Sequence, residues 1–422
     1  MPGCLARSFG AGDPGLGEGS RPAPSRPRGE ALTSSRILTR PFVLLVAATA
    51  VLFFGFYFLI PVLPPYAAAR GASKSEVGIV IGLASIAAVA TRLLSARAID
   101  RRGRRPFALG GLALFATATA LLPLAASLAS LLALRAVQGV GWGFATTAIA
   151  SLVADLAPAA RRGEAIGIWG LAPTVAMALG PAAGGGLVRL GGAPAAFLGT
   201  AALFLVALGF VVPIAEPRHA VTTSRKVRFP RGAVLPCSVL FLSSLSYGAI
   251  IAFVPVELGS GPGRTGAYFG VYALSILVVR PFAGRLSDRH GRRAVIIPGL
   301  LVGAAGVALT GLAQGPASLA AAAGLYGVGI AGLSFPALTA WTVDRSGEAR
   351  GAAMAAFYGS YDLAIALGAF AFGPVYERFG FAAVNLAGAV GIVAAAVLAG
   401  AVATGSGGPV EGTGNPGPLP AR

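Results

Sequence analysis

Four ionisable residues stand inside runs of apolar sequence: Arg92, Arg135, Arg280 and Asp362. Only 11% of the chain is charged, and a charge at the centre of a bilayer costs at least about 2.5–3.5 kcal/mol, so each asks for a reason. Arg135 has Gln138 one turn further on, placed to share its hydrogen bonds. Such a guanidinium binds an anionic group, biases a neighbouring proton site, or is held by backbone carbonyls. Asp362, with Tyr358 one turn before it, is a candidate proton carrier or partner for a cation. Its structural alternatives are a hydrogen bond near a kink and an ion pair with one of the arginines. Arg92 and Arg280 each precede an Asp by eight residues, about 12 Å along a helix, and are expected to snorkel to the headgroups.

The elements that hold these residues follow from composition. The chain has 422 residues, 55% hydrophobic, with mean hydropathy +0.77. Soluble domains carry roughly 25% charged residues, so a water-facing surface cannot be built here. Apolar runs recur over 42–66, 77–97, 107–126, 129–152, 164–187, 193–214, 233–256, 266–286, 294–313, 317–341, 352–374 and 381–403. Each suits a spanning helix of about 20 residues. The expected organisation is a disordered tail over 1–41, a six-helix bundle over 42–214, a basic linker over 215–231, a second bundle over 232–403 and a disordered tail over 404–422.

With the N-terminus inside, the inner segments hold 25 of the 33 basic residues, as the positive-inside rule requires. Both termini are then cytoplasmic, in a multi-pass protein of the cell membrane. The net charge of +18 falls in short clusters between apolar runs, without the aromatic interleaving of single-strand binders. Nucleic acid is therefore excluded. Cys4 and Cys237 make neither a disulfide framework nor a metal set, and His219 and His290 are expected in polar loops.

Two clusters repeat: Asp100-Arg101-Arg102-Gly103-Arg104-Arg105 and Asp288-Arg289-His290-Gly291-Arg292-Arg293. The offset of 188 (288 less 100) also relates Gly82 to Gly270, Arg92 to Arg280, Leu179-Gly180 to Leu367-Gly368 and Gly192 to Gly380. The two halves are homologous. Asp362 is an exception, since Thr174 holds its matching position. The glycine in each cluster predicts a turn with φ > 0 or a close backbone approach. Asp155 and Glu164, beside Arg161 and Arg162, are expected as solvated charge, with a gating pair as the alternative.

The stretch Gly284-Arg285-Leu286-Ser287-Asp288-Arg289-His290-Gly291-Arg292-Arg293 resembles the loop signature of the major facilitator superfamily. The copy over 96–105 departs from it, with Ala96 for Gly and Ala98 for Leu. Arg135-Ala136-Val137-Gln138-Gly139-Val140-Gly141 resembles the motif that sets an Arg inside the bundle. Gly180-Pro181-Ala182-Ala183-Gly184-Gly185 resembles the motif linked with proton-driven antiporters, with Ala176 for its leading Gly. The resemblance covers 42–403. It implies an all-α membrane protein of twelve transmembrane helices in two pseudo-symmetric six-helix bundles. It also implies a cytoplasmic latch in which Asp100, Arg101, Gly103, Arg104, Asp288, Arg289, Gly291 and Arg292 stabilise one facing state.

The run Phe53-Phe54-Gly55-Phe56-Tyr57-Phe58 lies on a helix that lines the central cavity in that family. Phe54 and Tyr57 are the candidates to reach it, joined by Tyr247 and Tyr326. An aromatic pocket with few fixed charges favours amphipathic substrates. The expected function is alternating-access, proton-coupled efflux of amphipathic compounds; an uptake symporter or facilitator for a polar metabolite such as a sugar is the alternative. No GxxxxGK[ST] loop appears, nor any buried acid pair for acid–base work, so an enzyme is not expected. The expected partners are a small-molecule substrate, protons and the lipid bilayer, for a monomer without cofactor or metal.

Overall fold

The computed structural model describes residues 37–158, 161–216, 231–259, 263–347 and 350–401. Of the expected tail over 1–41, residues up to 36 lie outside the described residues, while 40 and 41 already belong to a helix; the part of the expected linker over 217–230, with His219, and the expected tail over 404–422 also lie outside them. All regular structure in them is helical: α1 (Arg40–Phe58), α2 (Leu63–Ala68), α3 (Lys74–Arg102), α4 (Arg105–Leu121), α5 (Leu128–Leu156), α6 (Arg162–Val211), α7 (Val234–Leu258), α8 (Arg264–His290), α9 (Arg292–Leu312), α10 (Pro316–Tyr326), α11 (Phe335–Asp344) and α12 (Arg350–Ala401), with short 3-10 turns and one π segment.

Two of these helices are too long to be single crossings. α6 has 50 residues and α12 has 52, about 75 Å each at 1.5 Å per residue, against a hydrocarbon core of about 30 Å. Both fold back on glycine. Gly192 has φ 71° beside a non-helical Gly191, and Gly380 has φ 81°, a region only glycine enters freely. The contacts confirm it. A Cβ on Gly180 or on Gly55 would strike Tyr57 or Phe204 respectively, so neighbouring positions of α1 touch two points of α6 far apart in sequence. Likewise Gly368 meets Leu245 and Gly388 meets Ser246.

Among the described residues, ten helices are long and apolar enough to cross a membrane, one of them the 50-residue Ala352–Ala401. Its fold-back makes two crossings, and the arm of α6 before Gly191 adds one more. The result is twelve, in two six-helix halves. The first crossing breaks into α1 and α2 around Pro61, Pro64 and Pro65, which lack the N–H a helix needs. The tenth runs from α10 through a π segment, Gly327–Ser334, into α11. Lipid-facing surface is visible on α12, where Val390, Val393 and Val397 are exposed at helical spacing.

The helices outrun the apolar spans at their basic ends. α3 continues to Arg102 and α8 to His290, so the first three residues of each repeated hexapeptide are helical. His290 is therefore on a helix and not in a loop. What turns the chain is one glycine in each half, Gly103 at φ 94° and Gly291 at φ 89°. The end of the bundle carrying these turns is called the basic face below.

Candidate functional site

A chamber of about 100 Å³ lies between the halves. That is below the roughly 300–1,000 Å³ of ligand pockets. Its N-half wall carries Phe53, Phe56, Tyr57, Trp142, Arg135 and Gln138, and its C-half wall Tyr247, Ile251, Tyr361 and Asp362.

The rotation of α1 explains which of its aromatics arrive. Positions 53, 56, 57 and 60 share one helical face and line the chamber. Phe54, one residue out of phase, packs on Phe58 at 4.8 Å and its carbonyl lies against Gly180. The expectation for Phe54 is therefore replaced by Phe53 and Phe56. Trp142 stacks on Phe56 at 4.4 Å and takes the Phe53 ring edge at 5.0 Å.

On the C-half wall, Tyr247 stacks between Tyr272 at 6.2 Å and Tyr361 at 6.1 Å. Tyr326 lies one layer behind, stacked on Tyr272 at 5.3 Å and hydrogen-bonded to the Ser246 hydroxyl at 3.3 Å. Tyr358 does not reach the chamber; it is 45% exposed and packs beside Phe335 and Phe357. Tyr361, three residues on and directly before Asp362, takes its place.

Arg135 is buried in the bundle. Its Nε donates to Val80 O at 2.8 Å, its Nη2 to Ile81 O at 3.3 Å, and its Nη1 to Gln138 Oε1 at 2.7 Å. Gln138 Nε2 donates onward to Thr119 Oγ1 at 2.7 Å, and that hydroxyl donates to Phe115 O. One network thus ties α5 to α3 and α4. A buried polar chain of this kind is stable only when each member is satisfied, and each is.

Arg92 does not snorkel. It forms an ion pair with Asp362 of the other half, while its Nη2 donates to Thr146 Oγ1 at 3.1 Å. The pair forms because α3 and the first arm of α12 approach closely: a Cβ on Gly78 would lie 2.2 Å from Ala369 O, and one on Gly82 2.5 Å from Phe370. Arg280, the repeat mate, has its guanidinium 6.0 Å from the Phe335 ring centre, at the outer limit of a cation–π contact.

The span-5 motif is a packing surface. Gly180 and Gly184, four apart, face α1; a Cβ on them would lie 2.5 Å from Tyr57 Cβ and 2.5 Å from Phe58 O. Small residues at this spacing let membrane helices meet backbone to backbone. Pro181 and Gly185 between and beside them are buried.

At the basic face, Arg104 pairs with Asp155 and donates to Ser151 O at 3.0 Å. Arg292 pairs with Asp288 and reaches Asp344 Oδ2 at 2.8 Å. These links run within a half. Asp155 is thus the pairing partner and not solvated charge, while Glu164 meets Arg161 at 2.8 Å in the open. Arg101 and Arg289 are exposed, and the side chain of Asp100 lies outside the described residues. Sequence reading missed Glu216: its two oxygens accept from Arg104 N and Arg105 N, both at 2.7 Å, capping α4 across the Gly103 turn.

The family model for the Major Facilitator Superfamily matches residues 45–235 and again 236–420. The chain belongs to the major facilitator superfamily. Members are transporters of small molecules across membranes, and not enzymes. The chain is 42% identical over 96 residues to the uncharacterized MFS-type transporter Rv1250 of Mycobacterium tuberculosis, covering 23% of this chain and 17% of that protein. It is 27% identical over 276 residues to the multidrug resistance protein MdtG of Proteus mirabilis, 58% of this chain and 66% of that one. It thus spans less than two thirds of either relative. The crystal structure of the nucleoside transporter NupG (D323A mutant) superposes with a TM-score of 0.70 at 14% identity, over 86% of this chain and 99% of that one. That likeness is one of superfamily fold.

Proposed function

We propose that this superfamily member is a monomeric secondary transporter that exports amphipathic small molecules across the cell membrane in exchange for protons. The basic face and both termini are cytoplasmic, in accord with the positive-inside rule. The observation that carries the reading is the ion pair between Arg92 and Asp362, which joins opposite halves at the chamber wall.

An ionised Asp362 attracts Arg92 and holds the first arm of α12 to α3. Protonation removes that attraction, and Arg92 keeps Thr146 as a partner. The facing equilibrium therefore depends on whether Asp362 carries a proton, which is what exchange requires. The stacked Phe56–Trp142 and Tyr247–Tyr361 walls suit a substrate with an apolar, ring-bearing body. The match to a multidrug resistance protein supports the same substrate class.

The test uses inverted vesicles, an imposed pH gradient and a panel of amphipathic fluorescent dyes. Gradient-driven dye uptake by the native protein, lost in Asp362→Asn with dye binding retained, is the expected result. Unaltered uptake in the variant rejects the coupling role. Dye-independent, gradient-independent movement of a sugar supports the alternative facilitator reading.

A further inference from the structure

A second acid bridges the two halves at the face opposite the basic one. Glu377 Oε1 accepts from Ser75 N at 3.0 Å. Ser75 sits in the first turn of α3, whose N-cap is Ser73 with Glu76 completing a capping box. The first N–H groups of a helix have no partner within it, and its N-terminus carries partial positive charge. Glu377, one turn before the Gly380 break and clear of the apolar runs, thus caps a helix that belongs to the other half. The approach is close. A Cβ on Gly373 would lie 2.6 Å from Ser75 Cα, and Lys74 Nζ lies 4.9 Å from the Tyr376 ring centre.

We infer that Glu377 is a positioning residue for transport: its carboxylate, capping α3 from α12, is the clamp that closes the chamber on the face opposite the basic one. The inference rests on the alternating-access reading above. The same two helices are joined at a second level by Arg92 and Asp362, fifteen residues earlier on α12 and about 22 Å away along it. Opening this face breaks the Glu377 cap and leaves the other tie in place.

The other charged groups on the elements packed here are Lys74 and Glu76 on α3, Glu257 at the end of α7, hydrogen-bonded by Tyr376, and Arg378 on α12. The N–H donors of α3 hold the Glu377 carboxyl below the usual carboxylate range. With the face open, the group returns to its ordinary value, roughly 4.3. The clamp is therefore fully present above that value and is lost as pH falls through the lower, closed-state one. It is a lock at neutral pH, and it is distinct from the coupling acid.

The experiment places a single cysteine at Ile251, which lines the chamber, in a background with Cys4 and Cys237 changed to serine. A membrane-impermeant maleimide is applied from each side in turn, and an Arg378→Cys control reports which side is which. Glu377→Ala should speed labelling from the Arg378 side by about two- to thirty-fold, the range of one helix cap, Glu377→Gln should speed it by less because its amide oxygen still accepts, and both should slow labelling from the basic side. Gly373→Val, which blocks closure sterically, should do the same. Faster labelling from both sides would indicate loosened structure and overturn the inference. So would a response to Gly373→Val with none to Glu377→Ala. A reporter reached from one side only in every variant would remove the alternating-access reading as well.

Discussion

Arg92 and Asp362, 270 residues apart in the chain, share an ion pair that crosses the boundary between the two halves. Each side chain keeps about a fifth of its exposure (24% and 21%), so the pair sits between the surface and the fully buried regime. Removing one partner of a fully buried pair costs about 3–5 kcal/mol. Arg92→Gln or Asp362→Asn alone should cost less, about 1–3 kcal/mol, in thermal unfolding in detergent. The double variant should recover most of that loss, because no charge is left alone. Strict additivity of the two single losses would argue that the pair contributes no coupling.

The Gly180–Gly184 surface makes a sharper distinction between neighbouring glycines. Gly184→Val must push Phe58 aside and should destabilise by about 1–3 kcal/mol through overpacking. Gly186→Ala, where nothing lies within 4 Å of a new Cβ, should be neutral or stabilise by up to about 1 kcal/mol through helix propensity. Melting curves of the two variants, compared with the native protein, check both signs.

Gln138 is the middle member of the Arg135–Gln138–Thr119 chain. Gln138→Leu keeps the volume but strands a guanidinium N–H of Arg135 and leaves the Thr119 hydroxyl without its donor. The expected loss is about 1–3 kcal/mol, the desolvation cost of an unsatisfied buried group. Thermal unfolding reads it, and a loss no larger than that of an exposed substitution would reject the network.

Glu216 caps α4 through two backbone N–H groups. Glu216→Ala should lower stability by about 0.5–2 kcal/mol, and Glu216→Gln by less, since an amide oxygen still accepts one bond. Thermal unfolding in detergent should show the two losses in that order.

Much of this architecture was legible because lipid imposes one dominant rule, that a crossing be apolar and helical. Repetition did the rest: Gly103 and Gly291 announced matched turns, whereas Gly192 and Gly380 were legible only as repeat mates, and their positive φ belongs to the structure. The rotation of a helix inside the bundle left no such trace. Phe53 and Phe54 differ by one position and about 100°, and an aromatic-rich helix has no polar face to orient it. The partner of Arg92 was hidden by distance along the chain, and apolar flanks made snorkelling the default. Glu216 was hidden by its setting in a polar join, where an acid carries no signal of its own.

The asymmetry between Asp362 and Thr174 has a mechanical consequence. By the internal repeat, the α3–α12 seam corresponds to the α8–α6 seam, where Arg280 stands for Arg92 and a threonine for the acid. Gly82 is pressed against Phe370 in the first seam, whereas its mate Gly270 has nothing within 4 Å in the second. The two seams therefore differ in how tightly they pack: α3 meets α12 backbone to side chain at Gly82, while Gly270 leaves room beside α8.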